Sequence, residues 1–560
     1  MTNTETAATP SEGGTSPATT ALAGDVDVFK VVATDRISES GLEPLLEDDR
    51  FEVVQAAGWD EADVNEAIQG AHGIIIRSGT QVDADFLERT PNLQVIGRAG
   101  VGVDNIDLKA ATGRGIAVLN APAGNTISAA ELTMALLLSA VRKVPMADHS
   151  LREGRWDRKS FGGKELRGKT LGLVGAGRIG GEVGRRARAF EMKVLAYDPY
   201  LPEEQADDLG IQLATFDEVI EKADVISLHT PLTSSTKGMI GREQLQRMKS
   251  SALLVNVGRG GLVDEDDLVE ALENGEIAGG ALDVYETEPL PEDSPLRGAE
   301  NLVLTPHLGA STSEAQERVA SEIAHAVRGA LVEGDLSRAL NAPAIGGEVL
   351  RKLRPLLDLG GRVGRLAGAL ARGGIRGVDV RYAGQAAEES RDPLNPLSAS
   401  VLTGVLSDVL GADEVNYVNA LHLAEGRGIR VTTSSQSRHR DYAEYLEAVV
   451  ETEGGEARIA GALLGERHPR VVSIDGFDID LAPHGTMVVL RNQDVPGVIG
   501  KIGTILGEQG LNIADYRQSR RSPGGEAMAA VTVDGEVTPA MLDALREVPE
   551  VQEAYSADLG

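Results

Sequence analysis

His307 stands in Leu304-Thr-Pro-His-Leu-Gly309, Glu288 in Ala281-Leu-Asp-Val-Tyr-Glu-Thr-Glu-Pro289, and Arg259 in Asn256-Val-Gly-Arg-Gly-Gly-Leu-Val-Asp264. An imidazole, a carboxylate and a guanidinium suit the oxidation of a secondary alcohol. A base must take the hydroxyl proton, a cation must hold and polarise the substrate, and a hydride acceptor must be fixed beside them. His307 is the natural base, since an unperturbed imidazole titrates near pH ~6.5. Glu288 beside it would orient the ring and favour the imidazolium made during oxidation. Arg259, in the turn Gly258-Arg-Gly-Gly261, could grip a carboxylate in bidentate fashion. Taken singly, each also reads as an ordinary structural residue.

The hydride acceptor has its own signature. Thr170-Leu-Gly-Leu-Val174 is an apolar strand that runs into Gly175-Ala-Gly177-Arg178-Ile179-Gly180. Ile179, Val183, Ala187 and Phe190 then recur at helical spacing. Gly175 permits the tight turn, and Gly177 lets backbone approach a pyrophosphate. Gly180 lets the helix lie close to its strand, with Arg178 and Ile179 opening the helix towards the phosphates. The next apolar run, Val194-Leu-Ala-Tyr-Asp198, ends in a carboxylate placed to accept from ribose hydroxyls and repel a 2′-phosphate. NAD is the expected cofactor. Polar residues follow at later strand ends: His229-Thr230-Pro231, Asn256, Asp283 and Thr305. Ligands gather at that edge of an open parallel sheet.

The chain has 560 residues, enough for three or four domains. A βα rhythm begins at Val28, after a Thr-, Ala-, Ser-, Gly- and Pro-rich stretch over residues 1–27 that reads as a disordered tail. The pattern predicts a substrate-binding domain over 28–128, an inserted dinucleotide domain over 129–308, and a return helix over 309–340. Within it, Thr126 to Val144 reads as one long helix. An α+β regulatory region over 341–482 and a βαββαβ module over 485–560 complete the chain. With 86 acidic against 54 basic residues the net charge is −32, which argues against nucleic-acid or anionic-membrane partners. The preference for arginine over lysine fits either a salt-rich cytoplasm or simply an acidic, arginine-rich proteome. No cysteine is present, so disulfides and thiolate chemistry are excluded, and no metal site is expected. No apolar run approaches the ~18 residues that span a bilayer, and a soluble cytoplasmic protein is the expectation.

The three segments around Arg259, Glu288 and His307, with the glycine turn, resemble the D-2-hydroxyacid dehydrogenase family. The resemblance implies that Arg259 binds the substrate carboxylate and carbonyl oxygen, that Glu288 tunes His307, and that His307 moves the proton. Asp283 would contact the nicotinamide carboxamide. The implied fold is α/β: a flavodoxin-like substrate domain with an inserted Rossmann NAD-binding domain, then an α+β regulatory domain and a ferredoxin-like ACT domain.

Arg77-Ser-Gly-Thr80, Arg98-Ala-Gly-Val-Gly-Val-Asp-Asn105 and Asn120-Ala-Pro-Ala-Gly-Asn125 resemble the loops of long-form members that take a phosphorylated substrate. Arg77, Ser78, Arg98, Val101, Gly102 and Asn125 would then surround 3-phospho-D-glycerate, oxidised to 3-phosphooxypyruvate at the start of serine synthesis. Gly154-Arg-Trp-Asp-Arg-Lys159 is similar to a segment that reaches a neighbouring subunit, which implies a homo-oligomer, a tetramer by analogy. Asn492-Gln-Asp-Val-Pro-Gly497 and Gly510-Leu-Asn-Ile-Ala514 look like the ligand loop and next strand of an ACT domain. Asn492, Asp494 and Asn512 would there hold a small amino-acid effector such as L-serine. Two other readings stay open: a glycerate dehydrogenase or hydroxypyruvate reductase, and an NADH-sensing binding protein.

Overall fold

The computed structural model describes residues 28–384, 394–412, 414–465 and 467–560; the expected tail over 1–27 lies outside them. Five parallel strands open the fold: β1 (Phe29–Ala33), β2 (Phe51–Gln55), β3 (Gly73–Ile76), β4 (Val95–Arg98) and β5 (Ala117–Asn120). Their order is β2-β1-β3-β4-β5, the flavodoxin-like arrangement, which gathers ligands at the carboxyl ends of the strands. The Gly-Ile-Ile-Ile run of β3 is buried throughout, as a strand covered by helices on both faces must be.

A second parallel sheet has seven strands: β6 (Thr170–Val174), β7 (Lys193–Tyr197), β8 (Gln212–Leu213), β9 (Val225–Leu228), β10 (Leu253–Asn256), β11 (Gly279–Leu282) and β12 (Leu302–Leu304). The order β12-β11-β10-β9-β6-β7-β8 reverses between β6 and β9, the crevice where a dinucleotide-binding sheet takes its ligand. His229, Asp283 and Thr305 each stand one residue beyond a strand end, as the apolar runs predict.

Two helices tie the sheets together. Helix Thr126–Arg142 packs on helix Arg178–Ala189 and on β10 and β11. The long helix expected to reach Val144 instead stops at Arg142, and Lys143 turns left-handed before a second helix, Val144–Arg152. Pro145 explains the break. It has no amide to donate and its ring excludes the carbonyl four residues back, whereas it suits the first turn of a new helix. Helix Ser313–Glu333, capped by the Thr312 hydroxyl, packs on helix Glu39–Leu46 and on β3, β4 and β5 of the first sheet. Gly41 permits that approach: a Cβ there would lie 2.2 Å from the Ala320 Cβ.

Beyond it, helices Gly347–Leu370 and Leu394–Leu410 pack on each other and cover a six-stranded mixed sheet. Last comes a four-stranded antiparallel sheet of Thr486–Gln493, Asn512–Arg520, Glu526–Asp534 and Val551–Asp558. Its order, second-third-first-fourth, is ferredoxin-like, with helices Val498–Glu508 and Pro539–Arg546 in its sequence. Met487, Val489, Met528, Ala530 and Ala557 of this sheet share one apolar cluster with helix Gly347–Leu370. Among the described residues no helix is long and apolar enough to cross a membrane.

Candidate active site

Strands β11 and β12 pair in parallel with Leu282 opposite Leu304, so Asp283 and Thr305 leave the sheet side by side. Asp283 is fully buried. Its Oδ1 accepts from the Thr305 hydroxyl at 2.6 Å and the Leu308 amide at 2.8 Å, and its Oδ2 accepts from the Gly309 amide at 2.9 Å. Burial pushes this carboxyl up, and the three donors pull it part of the way back. The bonds hold a strained loop, since His307 has φ +54°, a conformation uncommon outside glycine.

His307 Nδ1 lies 2.6 Å from Glu288 Oε2, and the other Glu288 oxygen accepts from the Tyr285 amide at 3.1 Å. Burial alone would raise the Glu288 carboxyl. His307, the Tyr285 amide and Arg259 outweigh it and hold the group below the ordinary carboxylate range. An ionised carboxylate only accepts, so Nδ1 carries the shared proton and Nε2 is left as the acceptor. Two residues outside the expected set brace the pair. The Tyr285 hydroxyl donates to the Thr305 carbonyl at 2.8 Å, joining the two strand-end loops, and Glu265 Oε1 accepts from the Glu286 amide at 2.6 Å.

The first sheet contributes cations. Arg98 Nη1 donates to the Ala99 carbonyl at 3.1 Å, while its Nε is buried with no hydrogen-bond partner. Burial first, then the charges of Arg259 and Arg77, push the Arg98 guanidinium down to about 10. Arg77, just past β3, and Arg259, in the loop after β10, thus lie near enough to act on Arg98, the last residue of β4. Gly102 backs against this group: a Cβ there would lie 2.3 Å from Arg259 Nη2.

Side chains distant in sequence shape these loops. Asp35 Oδ2 accepts from the amides of Arg77 at 2.6 Å and Thr80 at 3.2 Å. The Asn105 amide donates to the carbonyls of Arg77 and Thr80, and Asn120 donates to the Val101 carbonyl at 2.7 Å. Ser78 is exposed on the first loop. Asn125 precedes helix Thr126–Arg142 without capping it, and its Oδ1 is buried with no hydrogen-bond partner. Asp35 and Asn105 are not among the expected site residues, although Asp35 lies two residues past the end of β1, on the same sheet edge.

The glycine turn fits a dinucleotide. Gly175 has φ +90°, and a Cβ there would lie 2.7 Å from the His229 carbonyl oxygen. A Cβ at Gly180 would lie 2.2 Å from the Gly175 carbonyl oxygen, whereas one at Gly177 would meet no protein atom within 4 Å. Gly177 thus leaves room outside the protein, at a helix N-terminus that no side chain caps. Asp198 clasps the turn, accepting from the amides of Ala176 and Tyr200, each at 2.9 Å. His229 is half-buried, its Nε2 2.9 Å from the Ser227 hydroxyl, and lost solvation pushes the ring down to about 4, so it is neutral. Thr230 lies against the Met239 sulfur, and the Pro231 carbonyl accepts from Thr236. Arg178 reaches the Pro122 carbonyl at 3.5 Å, bridging the two sheets' loops. Ile179 sits half-buried in the first turn of the helix.

The three expected effector residues do not meet within one chain. Asn492 is fully buried and pairs with Ala527, level with Arg520, whereas Asn512 pairs with Asp534 at the other end of the same strands. At ~3.3 Å per residue the two ends are about 25 Å apart. Asp494 Oδ2 accepts from Arg520 at 2.7 Å and the Gly524 amide at 3.2 Å, which hold its carboxyl below the ordinary range. Asn512 donates to Asp534 at 2.7 Å.

Comparison with known proteins matches this arrangement part by part. Residues 134–309 match the D-isomer specific 2-hydroxyacid dehydrogenase NAD binding domain, 352–475 the D-3-phosphoglycerate dehydrogenase intervening domain, and 486–550 the ACT domain. The D-3-phosphoglycerate dehydrogenase of Methanocaldococcus jannaschii is 41% identical over 537 residues, covering 95% of this chain and 100% of that protein. The Bacillus subtilis protein of the same name is 38% identical over 532 residues, again covering 95% and 100%. Among solved structures, a glyoxylate reductase from Paecilomyes thermophila aligns at 31% identity and a TM-score of 0.51, covering 56% of this chain and 98% of that one. The TT0316 protein from Thermus thermophilus aligns at 38% identity and a TM-score of 0.50, covering 55% and 97%. With three domains matched in order and relatives aligned over their whole length, the chain belongs to the D-3-phosphoglycerate dehydrogenases.

Proposed function

We propose that the chain oxidises 3-phospho-D-glycerate to 3-phosphooxypyruvate with NAD, the first step of L-serine biosynthesis, with His307, Glu288 and Arg259 carrying the chemistry. The observation that carries this reading is the 2.6 Å His307–Glu288 pair, with Arg259 near enough to lower the Glu288 carboxyl and to act on Arg98. Bound NAD would supply the hydride acceptor for C2 of the substrate. Arg259 anchors the substrate carboxylate and draws charge towards the developing carbonyl oxygen. His307 Nε2 takes the C2 hydroxyl proton, and Glu288 stabilises the imidazolium that results. Arg77 and Arg98, with Ser78, Asn125 and the backbone at Val101 and Gly102, hold the phosphate end. Gly175, Gly177 and Gly180 give the pyrophosphate its backbone cradle at Arg178 and Ile179, and Asp198 takes the ribose. His229, Thr230, Pro231 and Asp283 border the cofactor.

On this reading residues 28–128 and 309–340 form the substrate-binding unit around a dinucleotide unit at 129–308, followed by regulatory units at 341–482 and 485–560. The last pairs across subunits of a homo-oligomer, a tetramer, and binds L-serine between Asn492 and Asp494 of one copy and Asn512 of the next. The wide separation of those residues within one chain supports an intersubunit site.

The test is steady-state kinetics with NAD and either 3-phospho-D-glycerate or D-glycerate. Strong preference for the phosphorylated acid is expected. Equal or better kcat/KM with D-glycerate overturns the phosphate assignment in favour of a glycerate dehydrogenase, and NADH binding without turnover of either acid leaves a sensor.

A further inference from the structure

Arg259 Nε lies 3.4 Å from Asp104 Oδ2, an ion pair that runs from the loop after β10 to the loop after β4. The two loops belong to different sheets, so the pair crosses the cleft between them. Gly102 makes the approach possible: a Cβ there would lie 2.3 Å from Arg259 Nη2 and 2.8 Å from Asp104 Oδ2. Two carboxylates, Asp104 and Asp35, offset the positive charge around Arg98, and they are held very differently. Asp35 is fastened into its loop by two backbone amides. Asp104 is 69% exposed and makes no hydrogen bond among the described residues; Arg259 is its one ion-pair partner there. Arg259 itself is anchored separately, through Nη1 to the Gly258 carbonyl at 2.8 Å.

We propose that Asp104 is a displaceable counter-ion of Arg259, a residue that sets how tightly carboxylate ligands bind by competing with them for the guanidinium. The inference rests on the reading of Arg259 as the carboxylate anchor. A substrate carboxylate and the Asp104 carboxylate seek the same cation, and only Asp104 is free to swing away. An exposed ion pair is weak, so displacing it costs the substrate little. The same carboxylate returns as product leaves, which keeps the oxo acid from lingering. Asp104 acts on ground state and transition state alike, so its effect falls on KM and product affinity more than on kcat.

Asp104→Asn keeps the shape and removes the charge. KM for 3-phospho-D-glycerate and the inhibition constant of oxalate, a carboxylate without a phosphate, should both fall about two- to fivefold, with kcat changing less. NADH affinity, read by fluorescence, should match the parent protein and report an intact fold. Unchanged or raised constants overturn the proposal, because a raised KM would mean that Asp104 serves to preorganise Arg259. Arg259→Ala separates the two readings. If it leaves KM and kcat for 3-phospho-D-glycerate unaltered, the anchor assignment itself fails. If it cripples the enzyme while Asp104→Asn moves neither constant, only the counter-ion proposal fails.

Discussion

Asp283 accepts the His307 amide on its carbonyl at 2.9 Å, while its buried carboxylate closes on the amides of Leu308 and Gly309. One residue at the end of β11 therefore holds the histidine loop at the end of β12 in a conformation it would not otherwise keep. Asp283→Asn preserves the shape but presents an NH2 group to at least one of those amide donors. An unsatisfied buried donor costs about 1–3 kcal/mol. A lower Tm is expected together with a kcat reduced on the order of tenfold, and wild-type values for both would remove Asp283 from this role.

Glu288 tests the charge beside His307. Its carboxyl lies below the ordinary range, so it stays ionised as pH falls towards acid and favours the protonated ring throughout. Glu288→Gln can still orient Nδ1 but offers no charge. The charge-assisted part is worth about 1.5–3 kcal/mol, roughly 10- to 150-fold in kcat. Without the carboxylate the ring is harder to protonate, so the acid limb of the oxidation profile should move to lower pH. A shift the other way contradicts the pairing.

Arg98 gives a second pH prediction. Burial and the charges of Arg259 and Arg77 disfavour its charged form, yet a guanidinium stays protonated across the working range, so substrate binding by the native enzyme should show no loss from this group as pH rises. A lysine starts near ~10.4, and the same surroundings would push it lower still. For Arg98→Lys, KM for 3-phospho-D-glycerate should therefore climb with pH from the mildly alkaline range, where the native KM is flat. Parallel pH profiles would place Arg98 away from the phosphate.

Asp198 fastens the amides of Ala176 and Tyr200 with its two oxygens, and the proposed function gives it the ribose as well. Asp198→Ala should weaken NAD and narrow its kcat/KM advantage over NADP by removing the repulsion of a 2′-phosphate. An unchanged ratio of the two cofactors would leave Asp198 as a brace of the glycine turn alone.

The residues proposed to carry the chemistry are legible in the sequence because apolar runs end in polar residues, and parallel strands bring such ends to one edge. The residues that position them are not. Asp35 meets Arg77 across 42 positions, and Asn105 meets Arg77 across 28, contacts created by the strand order β1-β3-β4. Tyr285 and Glu265 sit inside or beside recognisable motifs, yet their roles depend on which carbonyl or amide the folded loops present. Asn512 illustrates the opposite case. It lies near Asn492 in sequence, but antiparallel pairing sends it to the far end of the sheet. Pro145 is a readable signal, outweighed by the continuous apolar pattern on either side of it.

Proton transfer by His307 is read most directly from kcat for His307→Ala with 3-phospho-D-glycerate and NAD, alongside the Kd for NADH. A general acid–base group contributes about 10²–10⁴-fold. A kcat loss in that range is expected, with NADH affinity within about twofold of the parent, since proton transfer belongs to the chemical step and not to cofactor binding. A variant that keeps more than half of the native kcat would contradict proton transfer by His307.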